Sequence, residues 1–445
     1  MRAKEVIILI LIILAGVGLH YFEDWHLSLS NDQTVNYFIS QGKAYNFEET
    51  LILEPAATLE IINSHGGVEI EGSDRPDAEL TLKKTVWDRS EKKASSLAQE
   101  LKLLTSRQGT KLILSTNRDT FRHKNFSINF RLSVPASTSV RVSNSFGPVR
   151  IASISAAEVD NEHGQIDMLD IAGRVKVSNS HEKLTLLDIG GACQVETRHS
   201  PVSLIRISGP VSLKASHEDV ELTDLKNSLK VVSRHSPIKA RRLTGPVELE
   251  GSYEPIYIIE SGQAAIRGHH SSVEIDNLTG PLDIETDYEP ITLTRINGDV
   301  TLRGKGVEID LSSIRSEKIL IETSYEDVKL KNFTGDLHLN LAHGDASLFP
   351  ASLRDNISVS LQYGDLSFFW PAGQLARLEA RSKGGRIDWK LPLPPDEDSS
   401  NGLSLVRAFH SAPASPEIKL STTYGDIKIT QQEPSAFPDE DEPEF

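Results

Sequence analysis

The sequence predicts an all-β chain: a single elongated parallel β-solenoid with about 18 residues per coil, preceded by one N-terminal transmembrane helix. Three observations carry this prediction. Ring-bearing residues recur at near-constant spacing, two short alternating strands flank each ring, and turns rich in Gly and Pro separate the strands.

The ring row runs Phe146, His163, His181, His199, His217, His235, Tyr253, His270, Tyr288, Tyr325 and His343, with first steps of 17, 18, 18, 18, 18, 18, 17 and 18 residues. Gly304 is expected to hold the ring position between Tyr288 and Tyr325. Tyr363, Gly384 and Tyr424 continue the row at longer spacings, and His65 marks an earlier copy. Three residues after a ring comes an apolar-x-apolar strand, as in Val202-Ser-Leu204, Val220-Glu-Leu222, Ile291-Thr-Leu293 and Val328-Lys-Leu330. Before it lies a second alternating strand, as in Val211-Ser-Leu213-Lys-Ala215 or Leu282-Asp-Ile284-Glu-Thr286. The intervening turns include Ile207-Ser-Gly209-Pro and Leu278-Thr-Gly280-Pro. No segment between strands is long enough for the helix that a βαβ crossover requires. Stacked coils rise by about 4.8 Å, so the eleven steps from Phe146 to His343 predict a rod roughly 50 Å long.

Residues 1–22 read as a transmembrane anchor: Arg2 and Lys4 precede an apolar run from Val6 to Leu19, and Tyr21, Phe22 and Trp25 follow it. A cleaved signal peptide is the alternative, but the apolar core is not followed by a clear small-x-small site. In either case the positive end stays in the cytoplasm and the bulk of the chain is exported. Residues 23–44 read as a linker, and 45–134 as a β-rich capping region with one helix, whose apolar face is Ala94, Leu97, Leu101 and Leu104. Such a cap would cover strand edges that otherwise invite aggregation. The regular solenoid occupies 135–350 and irregular coils 351–430. Residues 392–416 are polar and Pro-rich and are expected to loop out, and 431–445 read as a disordered acidic tail.

The chain of 445 residues carries a formal charge of −16, which argues against nucleic acid as a partner, since binding to phosphates needs a basic face. Its one cysteine, Cys193, excludes an internal disulfide framework, and it falls where other coils carry Val or Leu. The ring row invites a metal-site reading, but Tyr and Phe share the position with His. Stacking of flat side chains accounts for all three residue types, whereas metal ligation accounts for one. By parity with Val211, Leu213 and Ala215, the rings are expected to turn toward the edge of the core. The residue after each ring alternates: Glu182, Ser200, Glu218, Ser236, Glu254, Ser271, Glu289. The true period is then two coils, and Ser spaces like charges that would repel if stacked directly. Glu182, Glu218, Glu254 and Glu289 form the candidate ligand-facing row. Their separation of roughly 9.6 Å is too wide to share one Ca²⁺ and lies at the outer edge of the carboxyl spacing of inverting glycosidases. Zinc-peptidase, nucleophile-elbow and P-loop motifs are absent, and the reading implies no catalytic residues, no cofactor and no metal.

Three stretches resemble the bacterial putative-adhesin family, β-solenoid domains of unknown function. Leu59-Glu-Ile-Ile-Asn-Ser-His-Gly-Gly-Val-Glu-Ile70 resembles the family's first coil, with the charged helix near 90–104 in its usual place. Phe130-Arg-Leu-Ser-Val-Pro135 and then Val140-Arg-Val-Ser-Asn-Ser-Phe-Gly-Pro-Val-Arg-Ile151 resemble the entry into the repeats. His343-Gly-Asp, Tyr363-Gly-Asp and Tyr424-Gly-Asp-Ile resemble its later coils, and the middle coils depart by carrying His-Glu, His-Ser or Tyr-Glu at the corner. The resemblance implies a fold but no catalytic residues. The expected protein is a non-enzymatic adhesin-like binding or scaffold protein of the cell envelope. It is held as a single-pass protein in the bacterial inner or cytoplasmic membrane, and an envelope glycan or protein is its expected partner. A polysaccharide-active β-helix enzyme and a self-assembling bactofilin-like scaffold are the alternatives.

Overall fold

The computed structural model describes residues 42–392, 394–400, 402–409 and 416–432. The expected anchor 1–22, nearly all of the expected linker, and 433–445 of the expected tail lie outside these residues. Among the described residues, no helix is long and apolar enough to cross a membrane. What they form is a parallel β-solenoid of coils of about 18 residues. Each coil gives one strand to each of two ladders. In the first, Val175–Ser180, Cys193–Arg198, Val211–Ser216, Leu229–Arg234 and Val247–Ser252 stack in that order. In the second, Leu184–Ile189, Val202–Ile207, Val220–Leu225, Ile238–Leu243 and Ile256–Ser261 do the same.

Because the coils pair without slippage, each register position carries one side chain per rung. Alternation then separates them: Val211, Leu213, Ala215, Val220, Leu222 and Leu225 of one coil all point into a single continuous core. Full burial of a Val, Leu or Ile contributes roughly 1.5–3 kcal/mol, so a coil is stable only when its neighbours cover it. Cys193 is one of these core residues, and burial pushes its thiol up to about 12, which leaves it a small hydrophobe. A polar ladder lines the core edge near the ring corner. Asn63, Asn144, Asn161 and Asn179 each donate from Nδ2 to the carbonyl three residues on, at 3.1, 3.0, 2.8 and 2.6 Å. Ser233 does the same toward Ser236 at 2.9 Å. These bonds satisfy carbonyls that the turn would otherwise leave unpaired.

The N-terminal end departs from the parallel pattern. Thr58–Ile62 and Val68–Ser73 form a first coil on Ser139–Phe146 and Val149–Ile154. Beyond it, Lys111–Thr116 and Phe126–Pro135 still run parallel. Leu103–Gln108, Ala78–Asp88 and Lys43–Leu53 then pair antiparallel, the last beginning inside the stretch expected to be linker. Helix α1, Glu91–Glu100, packs on Ala78–Asp88 and Lys43–Leu53 through Ala94 and Ala98. Leu101 is buried as the residue that closes the helix, but Leu104 lies in the next strand and is exposed, so the expected four-residue apolar face is too long by one turn. The buried Lys84 ammonium fixes that end, donating to the carbonyls of Leu101 at 2.7 Å and Ala98 at 3.3 Å and to Glu49 at 2.9 Å. A cation there complements the negative end of the helix.

At the C-terminal end, sequence order and spatial order part. The strand pair Glu417–Tyr424 and Ile427–Gln431 slots between Ile357–Tyr363 with Leu366–Trp370 on one side and Arg377–Lys383 with Ile387–Lys390 on the other. The last coil in sequence is thus the penultimate rung in space. The segment expected to loop out instead carries a hairpin, Asp396–Ser400 with Leu403–Ala408, laid antiparallel on Arg377–Lys383. Val406 and Ala408 supply the buried side chains that anchor it, an alternation that the surrounding Pro and acidic residues obscure in the sequence.

This interleaving makes a specific prediction. Truncation after residue 416 removes the rung between the two outer coils, so amides of 377–390 should lose hydrogen-exchange protection while those of 211–225 keep it. Retained protection of 377–390 would mean that the outer coil pairs directly with 357–370, contrary to this arrangement.

Candidate functional site

The most regular surface feature is the ring corner. His181, His199, His217, His235, Tyr253, His270, Tyr288 and Tyr325 all have positive φ, between 51° and 78°. For L-residues this left-handed region costs roughly 1–2 kcal/mol, and for a residue as bulky as Tyr it is rare. At His65, Phe146, His343 and Tyr363 the following Gly takes the positive φ instead. The departure of the middle coils from ring-Gly is therefore a transfer of the strained conformation from Gly onto the ring residue itself. It also overturns the expectation that the rings face the core edge. The left-handed residue swings the side chain outward, and Tyr253, Tyr288 and Tyr325 are 54%, 53% and 57% exposed.

On the surface the rings stack. Neighbours from Phe146 to Tyr288 are 4.5–5.7 Å apart with planes within 13°. Tyr325, His343, Tyr363 and Tyr424 form a second run at 4.7–5.0 Å. Tyr424 stacks directly on Tyr363, and Gly384 lies on the far side of Tyr424, as the interleaved coil requires. His163, in the first run, is likewise exposed.

A two-coil rhythm runs through the stack. Steps from a Glu coil to a Ser coil are long, 5.7, 5.4 and 5.6 Å at His181–His199, His217–His235 and Tyr253–His270. Steps from Ser to Glu are short, 4.5, 4.8 and 4.9 Å at His199–His217, His235–Tyr253 and His270–Tyr288. The corner φ alternates in phase, 63–78° in Glu coils and 51–54° in Ser coils. The cause lies in the next residue. Ser200, Ser236 and Ser271 are buried, each hydroxyl donating to the carbonyl two residues back, whereas Glu182, Glu218 and Glu289 are exposed and Glu254 half-buried. Only every second rung therefore offers a carboxylate.

The row breaks once. Asp287 pairs with Lys305, so the residue opposite Tyr288 is Gly306 rather than the expected Gly304. Gly306 takes the same left-handed conformation, φ 66°, and Val307 dips into the core where other coils expose a polar residue. Gly304 is required beneath it, because a Cβ there would meet Val307 Cγ2 at 2.7 Å. One face of Tyr288 and one of Tyr325 thus look onto a missing ring, with Lys305 Nζ 5.9 Å from the Tyr325 centroid.

Residues 56–430 match the model of a protein family described as Toastrack DUF4097. The chain belongs to this family. Among solved structures, this Toastrack chain is similar to a putative cell adhesion protein from Clostridium sporogenes, at 8% identity over 87% of this chain and 100% of that one, TM-score 0.20. It is also similar to a putative lipid binding protein from Parabacteroides distasonis, at 12% identity over 68% of this chain and 98% of that one, TM-score 0.20. Likenesses this distant carry no functional argument. No curated protein matches the chain.

A second left-handed corner of the Toastrack coil escaped the sequence reading. Asp188, Arg206, Asp224, Arg242, Glu260, Asn277 and Arg295 hold φ of 54–60° at the fifth position of the second strand. Arg206 clasps Asp188 through two bonds of 2.7 Å, and Arg242 clasps Asp224 at 2.5 and 2.9 Å. The guanidinium in each pair holds its aspartate below the usual carboxylate range. The recurrence of Asp and Arg every 18 residues was the available signal, hidden among ordinary surface charges.

Two predictions follow from the corners. At His217, Ala should destabilise more than Gly, the reverse of the ordinary strand preference. Both lose ring stacking, worth about 0.5–1.5 kcal/mol per pair, but only Gly also relieves the left-handed strain. Denaturant midpoints of the two variants decide it. At the other corner, the double variant Asp188→Asn/Asp224→Asn should melt below the parent at neutral pH. Depressed aspartates stabilise above their unfolded pKa and lose that contribution as pH falls through the folded one, so the gap should narrow on acidification and in high salt. A gap independent of both pH and salt would exclude the ion pairs as its cause.

Proposed function

We propose that this Toastrack chain is a non-enzymatic, membrane-tethered, extracytoplasmic rod that binds or spaces components of the bacterial envelope. The observation that carries the reading is the exposed ring stack with its single missing ring. A continuous stack buries ring faces against one another and offers only edges. At Gly306 two flat faces are free, on rungs separated by two coil spacings, roughly 9.6 Å. That interval suits one flat group, such as a sugar ring or an aromatic side chain of an envelope component. The ends argue against the bactofilin-like alternative: antiparallel strands at both ends interrupt the register that end-to-end stacking of coils would continue. Tethering rests on the apolar segment Val6 to Leu19.

The test is capture of envelope glycans and envelope proteins on the purified chain, followed by assay of what is captured for cleavage. Capture without turnover, weakened in Tyr288→Ala and Tyr325→Ala, is expected. Turnover abolished by Glu→Gln at Glu218, Glu254 or Glu289 would replace this reading with the polysaccharide-active one. Capture unchanged by both Tyr variants would remove the gap at Gly306 as the binding place. Undiminished envelope localisation after deletion of 1–22 would sink the tether.

A further inference from the structure

We infer that His269, His270 and Asp287 form a binding site for a transition-metal ion of the zinc class. The three residues each offer a donor atom, and these atoms all lie within 4.8 Å of one another. His269 Nδ1 and Asp287 Oδ2 are 3.0 Å apart. Ligand bonds of about 2.0–2.1 Å in tetrahedral geometry place donors about 3.3 Å apart, so a modest side-chain rotation brings all three onto one ion.

Comparison with the other coils shows that this corner is built differently. At the register of His269 the neighbouring coils carry Arg198, Ser216, Arg234 and Ser252, and only here does an imidazole face a carboxylate on the next rung. Elsewhere the ring residue's N–H donates to the backbone carbonyl one coil on, as His217 does to Arg234 and Tyr288 to Lys305. The His270 N–H instead donates to Asp287 Oδ1 at 3.0 Å, which draws that carboxylate into the corner. His270 is clamped between Tyr253 and Tyr288, 5.6 and 4.9 Å away and within 13° of parallel. His269 leaves the stack, its ring 61° from His270 and 71° from Tyr253, and turns toward Asp287. One imidazole is thus held rigid, one is aimed, and the carboxylate is fixed by the backbone, which is the preorganisation that a metal site needs.

The cations nearby are already engaged. Arg267 pairs with Asp283 at 3.2 Å and Glu285 at 3.4 Å, Arg303 with Glu322 at 3.3 Å, and Lys305 reaches over Tyr325. Two imidazoles and one carboxylate favour Zn²⁺, Ni²⁺ or Cu²⁺ over the all-oxygen preference of Ca²⁺ and Mg²⁺. Three protein ligands leave a fourth position, which opens onto a surface depression of ≈ 440 Å³ lined by Gly268, His269, Thr286, Asp287 and Gly304.

The test uses the full chain, stripped with a chelator and titrated with Zn²⁺ by calorimetry, with Co²⁺ absorption in the visible as a second readout. We expect one ion per chain, with affinity falling at least about tenfold in His269→Ser and in Asp287→Asn and unchanged in His338→Ala, an exposed histidine elsewhere on the rod. Ser occupies the register of His269 in the adjacent coil, so His269→Ser keeps the fold, and a melt of the metal-free variant checks this. No uptake by the parent, affinity unchanged in His269→Ser, or equal loss in His338→Ala would each overturn the assignment. The outcome is independent of whether the chain captures envelope components.

Discussion

The left-handed corner is the constraint on which the rest of this solenoid depends. Two short strands close into a coil of fixed length only if the backbone reverses sharply, and two residues per coil reverse it with positive φ. Most are not Gly, so the strain, roughly 1–2 kcal/mol at each, recurs on every rung. It persists because each strained residue meets its own counterpart on the next coil. Rings stack on rings at one corner, and Arg clasps Asp at the other. A strained isolated loop would relax, but here relaxing one corner would break contacts to the coils on both sides.

This coupling also explains why so much was legible from sequence. A repeat makes each register position visible many times over, so the ring row, the alternating strands and the Glu/Ser alternation stood out against surface variation. The structure gives that alternation a mechanism: a buried Ser hydroxyl bonded to the chain two residues back, and ring spacings that lengthen and shorten in phase. Parity failed only where the backbone stopped being extended. Counting on from Ala215 places His217 inward, but a left-handed residue breaks the two-residue period, and no alternation rule anticipates that. The same break moved the ring position of the interrupted coil from Gly304 to Gly306, because register follows the paired backbone and not the apparent spacing.

The ends were less legible for a different reason. A solenoid coil is specified by neighbours of like sequence, but a terminal coil must be covered by something unlike itself. Here that role falls to antiparallel strands, to a helix closed by a buried lysine, and to a hairpin read beforehand as a loop. The final coil adds a topological twist. Its Tyr424 continues the ring row, yet it stacks on Tyr363 while the segment between them in sequence is displaced one rung outward. Nothing in the local composition of 377–431 distinguishes that order from simple succession, since both bury the same side chains.

A regular array also sharpens the reading of its exceptions. Each coil is a control for the next, with the same register and backbone and nearly the same neighbours. Stacking accounts for the ring row because Tyr, His and Phe are interchangeable there, which argued from the sequence against metal ligation along the row. That argument holds for parallel rings in general and leaves out the residue beside the row. His269 is no member of the stack, and the carboxylate it faces has taken over a backbone bond that every neighbouring corner makes with a carbonyl. A substitution that changes the wiring of the corner, and not merely its surface, is the kind of departure that a purely structural repeat gives no reason to keep.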